Sequence, residues 1–288
     1  MMRVVIVLLI ASTSIAANAF QPTFRSSVAL VRVDASVMDG NQAVAGLTAA
    51  NFTITDNGVA QTIDTVSLDR VPLGLMLTLD TSESLKGDAM TAMSAAARNL
   101  ITSLRPDDAA ALITFADPIQ LAVPPTRDRA PMLQALSGLT ASGGTSINDA
   151  IVLGLWHDPT LSPDMRPVMI IFTDGRDTTS WLGSAQAQLA ARRSRTLIHV
   201  VELRGTIGSG TNFARELARA GGGRVWSAKS PGALRELFGQ VLDELRARYL
   251  ITYYPAGVAR EGWHDVRVRV KGARGDITAR PGYFVSPP

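Results

Sequence analysis

The sequence predicts an α/β protein in which a doubly wound, mostly parallel sheet is joined to a small β domain formed from both flanking segments. Between residues 71 and 247, continuously apolar runs alternate with segments of helical spacing. In the flanks, residues 20–70 and 248–288, the apolar residues recur at the shorter spacing of β-strands. Alternating strands and helices favour a parallel sheet that is covered on both faces.

The N-terminal flank contains runs that are typical of β-strands. Residues 28–37 alternate apolar and polar side chains, though imperfectly, and residues 52–56 read FTITD. Asn57-Gly58 follows directly and leads into a second β-rich run at 59–68. An Asn-Gly pair between two such runs is a strong signal for a tight hairpin, which we expect here.

The central region supplies strands that are buried on both faces, since their runs are apolar throughout. We predict these strands at 71–80, 110–116, 168–174 and 196–203, with a short one at 224–227. Two of the runs, 71–80 and 168–174, end in an aspartate. Apolar residues three and four apart predict helices between the strands. The predicted helices cover 90–104, 131–137, a segment starting at 145, 181–193, 213–220 and 231–245.

The C-terminal flank returns to β structure, with runs at 249–254, 265–270 and 282–285. We expect these strands to pair with those of the N-terminal flank. The α/β domain would then be an insertion in a small β domain, or the two would form one fused unit.

The first 19 residues have the features of a secretory signal sequence. Arg3 precedes an apolar run at 4–11, and Ala17 and Ala19 are small residues at the positions that a signal peptidase reads. Cleavage would leave Phe20 as the first residue of a protein exported to the periplasm, the cell surface or the medium. An uncleaved anchor is the alternative, but the apolar run is shorter than the ~20 residues that span a bilayer. No further segment predicts a membrane span.

The composition excludes several classes of function. The chain has no cysteine, which rules out disulfides, thiolate catalysis and zinc–thiolate sites. The net charge is +3 and the arginines are scattered. Nucleic-acid binding is therefore not expected, because it usually requires a basic stripe.

Oxygen-bearing side chains follow the predicted strands in three places. DTSES occupies 80–84, GGTS occupies 143–146 and TDG occupies 173–175. Ligands of such sheets lie outside the carboxyl ends of the strands, so we expect these segments to meet. Their donors are all oxygens, which suits Mg²⁺, with Mn²⁺ or Ca²⁺ as alternatives. The candidate site residues are Asp80, Ser82, Ser84, Thr145 and Asp174.

Charge balance predicts how such a cation would behave. Three hydroxyls are neutral, so Asp80 and Asp174 alone offset its charge, directly or through water. The cation would keep a replaceable position, and a carboxylate of a partner protein is its natural occupant. Asp88, Asp149 and Asp177 are expected to be helix-start or loop acids rather than ligands.

These motifs resemble the metal-ion-dependent adhesion site of von Willebrand factor type A domains, over roughly residues 71–247. The resemblance implies that Ser82 and Ser84 ligate the metal directly and that Thr145 does so directly or through water. It also implies that Asp80 and Asp174 orient waters and hydroxyls. The flanks, at 46–63, 248–255 and 279–284, resemble those of bacterial exported proteins with domains of this type.

We therefore expect an exported adhesion or protein-binding module that captures an acidic group of a protein or cell-envelope partner, and not an enzyme. One alternative is a Mg²⁺-dependent hydrolase, which would need a positioned base beside the metal. Another is a structural envelope protein whose metal only stabilises the loops. We also expect metal occupancy to be coupled to the β domain through the last helix, with a rigid pair of domains as the alternative.

Overall fold

The structure, a computed structural model, describes residues 30–40, 42–68, 71–203, 211–272 and 274–286. The predicted signal sequence and its cleavage site lie outside these ranges. Across the described ranges, every helix is too short or too polar to cross a membrane.

The described residues of the N-terminal flank form five strands. They are β1 (Val31–Asp39), β2 (Gln42–Ala43), β3 (Phe52–Asp56), β4 (Val59–Gln61) and β5 (Ile63–Ser67).

The predicted hairpin at Asn57-Gly58 is confirmed. It joins β3 to β4, and both turn residues have positive φ, 46° and 82°, as a two-residue type I′ turn requires. The β-rich run 59–68 forms two strands, β4 and β5, which lie in different sheets. Where the chain passes between the sheets, both amide atoms of Gln61 bind the backbone of Ala256.

The central region alternates strands and helices as predicted. Its elements are β6 (Leu73–Asp80), α1 (Asp88–Thr102), β7 (Ala109–Phe115), β8 (Ile119–Thr126), α2 (Ala130–Ser137), α3 (Ile147–Trp156), β9 (Arg166–Thr173), α4 (Ser184–Arg193), β10 (Leu197–Leu203), α5 (Thr211–Gly221), β11 (Val225–Ala228) and α6 (Leu234–Arg246). Strand β8, which contains Pro124 and Pro125, was not predicted. Proline cannot donate to a strand ladder and is tolerated at a sheet edge, where β8 lies.

The central sheet has the strand order β11-β10-β9-β6-β7-β8. All neighbours are parallel except β7 and β8. The chain leaves β6 towards β7 and later returns to β9 on the other side, so the strand order reverses between β6 and β9. Every residue of β6 and β9 is buried, since helices cover both faces: α1, α2 and α6 on one, α3, α4 and α5 on the other.

The C-terminal flank adds β12 (Tyr249–Tyr253), β13 (Gly262–Val270), β14 (Asp276–Ala279) and β15 (Gly282–Val285). Of these, β14 was not predicted. Strands of both chain ends pair in two sheets, β14-β1-β12-β5 with β2 beside β1, and β15-β13-β3-β4. These sheets share one apolar core, so the α/β unit lies between two halves of a β unit in chain order.

A buried polar cluster, here called the junction, ties α6 to the β unit. The guanidinium of Arg248 is 2.6 Å from Glu244, and both side chains are fully buried. Arg248 also donates to the carbonyl oxygens of Asp34, Gly222 and Thr278. Because β1 and β14 carry two of these acceptors, the end of α6 is held against the β unit.

His199 completes the junction from β10. The indole N–H of Trp226 and the backbone N–H of Arg224 point at its Nδ1, and its Nε2 lies 3.2 Å from Glu244. The proton is therefore on Nε2. Burial raises the pKa of Glu244, but Arg248 and His199 outweigh burial and hold that pKa well below its ordinary value.

Candidate metal centre

The first loop of the candidate centre begins where β6 ends, at the fully buried Asp80. One carboxylate oxygen of Asp80 accepts the backbone N–H of Ser82 at 2.9 Å, which forms a local Asp turn. The turn brings the hydroxyl oxygens of Ser82 and Ser84 to 3.1 Å from each other. Ser82 is buried and Ser84 is exposed, so the serine pair connects the buried Asp80 with the surface.

The loop after β9 meets this turn directly. The hydroxyl of Ser84 donates to Asp174 at 3.0 Å. The hydroxyl of Thr173, the last residue of β9, donates to the second oxygen of Asp80 at 2.7 Å. Since β6 and β9 are neighbours across the reversal of strand order, these contacts form where such sheets bind ligands. Thr173 was not among the predicted site residues, although it belongs to the TDG motif at 173–175.

Thr145 lies on the third loop, which the backbone holds against the first. Ser142 donates its N–H to the carbonyl oxygen of Thr81, and Glu83 donates to that of Gly143. On its other side, the N–H of Thr145 donates to the hydroxyl of Thr178 at 2.8 Å. All five predicted site residues therefore lie on three loops that contact one another.

The glycines before Thr145 allow a close approach that other residues would prevent. Gly143 has φ of +75°, and a Cβ on Gly144 would lie 2.6 Å from the methyl group of Thr179. The N–H of Gly144 donates to Asp117 at 2.9 Å. Asp117 comes from the turn between β7 and β8 and was not among the predicted residues, because nothing nearby in sequence marks it.

The acids that were expected to be structural brace the loop that follows Asp174. Asp177 accepts the backbone N–H groups of Asn148 and Ser180. Asp149 accepts those of Trp181 and Leu182. Asp88, as expected, is the first residue of α1. These contacts attach the loop after β9 to the start of α3.

Burial disfavours the charged forms of both carboxyl groups at the centre. Burial and, to a smaller extent, the charge of Asp174 raise the pKa of Asp80 to about 6, against the hydrogen bonds from Ser82 and Thr173. Burial also raises the pKa of Asp174. Both carboxylates are thus destabilised in their charged form, and a cation between them would remove that cost.

The donors of the centre fit a hard divalent cation. Throughout the described ranges, no three His, Cys, Asp or Glu side chains are grouped to hold a metal. The candidate centre instead combines two carboxylates with hydroxyl groups. Mg²⁺ and Ca²⁺ prefer oxygen ligands of this kind. The residues that would hold the cation are Ser82, Ser84 and Thr145, with Asp80 and Asp174 beside them.

Comparison with known proteins identifies the fold. The family model of the von Willebrand factor type A domain matches residues 75–176, which contain all five predicted residues. The α/β unit is a von Willebrand factor type A domain. The predicted family resemblance and fold class are thereby confirmed for this unit.

Relatives of this von Willebrand factor type A domain are distant. An uncharacterized protein of Synechocystis sp. is 31% identical over 110 residues, which are 38% of this chain and 26% of that protein. The match thus spans about a quarter of the relative's length.

Solved structures show the same fold at low sequence identity. A von Willebrand factor type A protein of Catenulispora acidiphila has a TM-score of 0.54 at 15% identity, over 87% of this chain and 71% of that one. The corresponding domain of a type V pilus tip protein of Porphyromonas gingivalis has a TM-score of 0.51 at 12% identity, over 61% of this chain and 95% of that one. Proximal thread matrix protein 1 of the mussel byssus, with a zinc-occupied metal-ion-dependent adhesion site, has a TM-score of 0.53 at 16% identity. The match covers 66% of this chain and 49% of that one.

Proposed function

We propose that this chain is an exported, divalent-cation-dependent module that binds an acidic group of a partner protein or of the cell envelope. The observation that carries the proposal is the meeting of Asp80, Asp174 and the serine pair at the reversal of strand order. Buried carboxylates that mainly face hydroxyls and amides provide a binding site for a cation. Because the hydroxyls are neutral, the charge of the cation is only partly balanced. A cation held in this way would take a further oxygen ligand from a partner.

The cation of the proposed site is Mg²⁺, with Mn²⁺ or Ca²⁺ as alternatives. The mussel thread protein with zinc in its adhesion site supports a divalent metal in a related domain. In this chain Ser82, Ser84 and Thr145 would ligate the cation, while Asp80 and Asp174 would hold its waters and hydroxyls in place. The exposure of Ser84 supports access for a ligand from solvent.

Binding is favoured over catalysis by the neighbours of the candidate centre. A hydrolase would need a base beside the metal. His199 and His264 are both buried and hydrogen-bonded elsewhere, at the junction and to Asp56 in the β unit. The hydrogen bonds of Asp80, Ser82 and Ser84 given above involve hydroxyls, backbone amides and Asp174, and neither a histidine nor a lysine takes part in them.

An exported location accompanies this function. The features of residues 1–19 support it, as does the similarity to a domain of a pilus tip protein. N-terminal sequencing of the protein recovered outside the cytoplasm should begin at Phe20. Recovery of intact Met1 in a membrane fraction would instead identify an uncleaved anchor.

Calorimetric titration with MgCl₂ and MnCl₂ tests the cation site. The wild type should bind one ion, and Asp174→Ala should bind none while it keeps its circular dichroism spectrum. Glu83→Ala is a matched control, since Glu83 lies inside the same motif but points to Lys86 at the surface. Affinity capture from envelope extracts, in Mg²⁺ and in EDTA, then tests binding. Capture that EDTA leaves unchanged would favour the purely structural role for the metal.

A further inference from the structure

A cavity of about 510 Å³ lies beside the candidate metal centre, between the N-terminal ends of α3, α4 and α5. Thr173 and Gly175, which flank Asp174 in the chain, form part of its wall. Ile147, two residues after Thr145, forms another part. The cavity and the candidate centre thus share two loops, and a group bound at the metal would lie next to the cavity.

Apolar side chains form part of the cavity wall. Its lining includes the buried side chains of Ile147, Val200, Ala214 and Leu217, together with the partly buried Phe213. Polar and charged side chains form a comparable part of the lining, among them Arg176, Asp177 and Glu202. A lining that combines apolar side chains with placed polar groups is typical of sites that receive part of a ligand.

Trp181 lines the cavity and is 96% exposed. Its backbone is nevertheless held firmly, because Asp149 accepts the N–H groups of Trp181 and Leu182 at 2.8 and 2.9 Å. Asn148 in addition donates its side-chain amide to the carbonyl oxygen of Leu182. The start of α3 therefore fixes an indole at the edge of the cavity, and Trp is enriched in binding surfaces.

We propose that this cavity is a specificity pocket for an apolar, preferably aromatic, side chain of the partner whose carboxylate occupies the metal. The partner is then a protein segment in which an Asp or Glu lies within about three residues of a Phe, Tyr, Trp or Leu, a spacing that an extended chain bridges in about 10 Å. This inference rests on the proposed function and extends it from any acidic group to a peptide of defined composition. Trp181 would contact the apolar side chain at its outer edge.

The experiment uses the full-length mature protein and begins with the metal alone. Calorimetry with MgCl₂ and MnCl₂ first establishes whether the cation site exists. A library of random twelve-residue peptides displayed on phage is then panned on the protein in Mg²⁺ and eluted with EDTA. The enriched peptides should combine an acid with an aromatic or large aliphatic residue within three positions.

Fluorescence polarisation with one enriched, labelled peptide then tests the pocket itself. Trp181→Ala should weaken binding by about tenfold or more, as does the loss of an aromatic anchor in other interfaces. Trp156→Ala is the matched control, because Trp156 is 85% exposed and does not line the cavity. Replacing the aromatic residue of the peptide by Ala should give a similar loss, and the two losses should not add. Melting temperatures of both variants verify that each is folded.

Four results would overturn the proposal. Mg²⁺-dependent peptides that contain acids without apolar neighbours, or equal affinities for Trp181→Ala and Trp156→Ala, would remove the pocket and leave the cation-dependent function intact. Mg²⁺ binding without any Mg²⁺-dependent enrichment would also remove it. Absence of Mg²⁺ and Mn²⁺ binding in the first step would instead remove the proposed function, and the pocket with it.

Discussion

The junction and the metal centre both bury carboxyl groups, but the protein surrounds those groups differently. At the junction, Glu244 faces the guanidinium of Arg248 and the N–H of His199. At the metal centre, Asp80 accepts a backbone N–H and a threonine hydroxyl. The pKa of Glu244 is accordingly lowered, while burial raises that of Asp80 to about 6.

This difference separates a structural cluster from a binding site. A buried carboxylate whose charge is matched inside the protein needs nothing further, and its role is to hold elements together. A buried carboxylate supplied mainly with neutral donors is stabilised when a cation arrives. Burial alone does not distinguish the two, whereas the opposite pKa shifts do.

The largest expected effect comes from breaking the junction. Arg248→Met leaves Glu244 buried without its main counter-charge and should lower the free energy of unfolding by about 3–5 kcal/mol. Urea denaturation measures this loss. The double variant Arg248→Met/Glu244→Gln should recover part of it, because the buried charge is then removed.

A surface ion pair provides the control for that measurement. Arg267→Met breaks the pair with Asp265, whose side chains are 69% and 49% exposed, and should cost less than about 1 kcal/mol. Similar losses for Arg248→Met and Arg267→Met would contradict the structural role assigned to the junction.

The second effect concerns the metal centre. With Mg²⁺ at ~100 times its dissociation constant, the free energy of unfolding should rise by about 2.7 kcal/mol. Asp80→Ala and Asp174→Ala should abolish this rise while each variant stays folded. Thermal unfolding in Mg²⁺ and in EDTA measures it, and identical melting temperatures for the wild type in both would contradict the presence of a cation site.

The third effect is the pH dependence of the metal-free protein. The pKa of Asp80 is higher when folded, about 6, than its ordinary 3.8, so the folded state binds more protons between these values. Its contribution to stability is therefore greatest at low pH and is lost as pH rises through about 6. From pH 5 to pH 7 the loss should be about 1 kcal/mol. In EDTA, Asp80→Asn should lack this part of the pH dependence; an unchanged profile would contradict the assigned pKa.

The smallest effect should appear in hydrogen exchange rather than in stability. If metal and an acidic ligand shift α6, the junction requires that the β unit respond with it. Protection of residues 231–246 and of β12 should then change together when Mg²⁺ and an enriched peptide are added at saturation. A change in α6 alone would contradict transmission through Arg248, and no change would favour a rigid pair of units.

The sequence predicted most elements because their signals are local. A strand covered on both faces must be apolar throughout, which made β6, β7, β9 and β10 recognisable. Strand β8 lacked this signal, because it lies at an edge and contains two prolines. β14 has four residues, none fully buried, and offered no comparable pattern.

For the candidate centre, the sequence by itself determined which residues carry oxygen donors and where each loop begins, since DTSES, GGTS and TDG follow or precede regular elements. Only the tertiary structure decided which acids have other partners. Asp149 and Asp177 brace the loop before α4, and Asp117 holds Gly144, 27 positions away in the chain. Only the fold could also bring Arg248 to Asp34, 214 positions away. A carboxylate's role depends on the donors that surround it, and packing rather than sequence proximity supplies those donors.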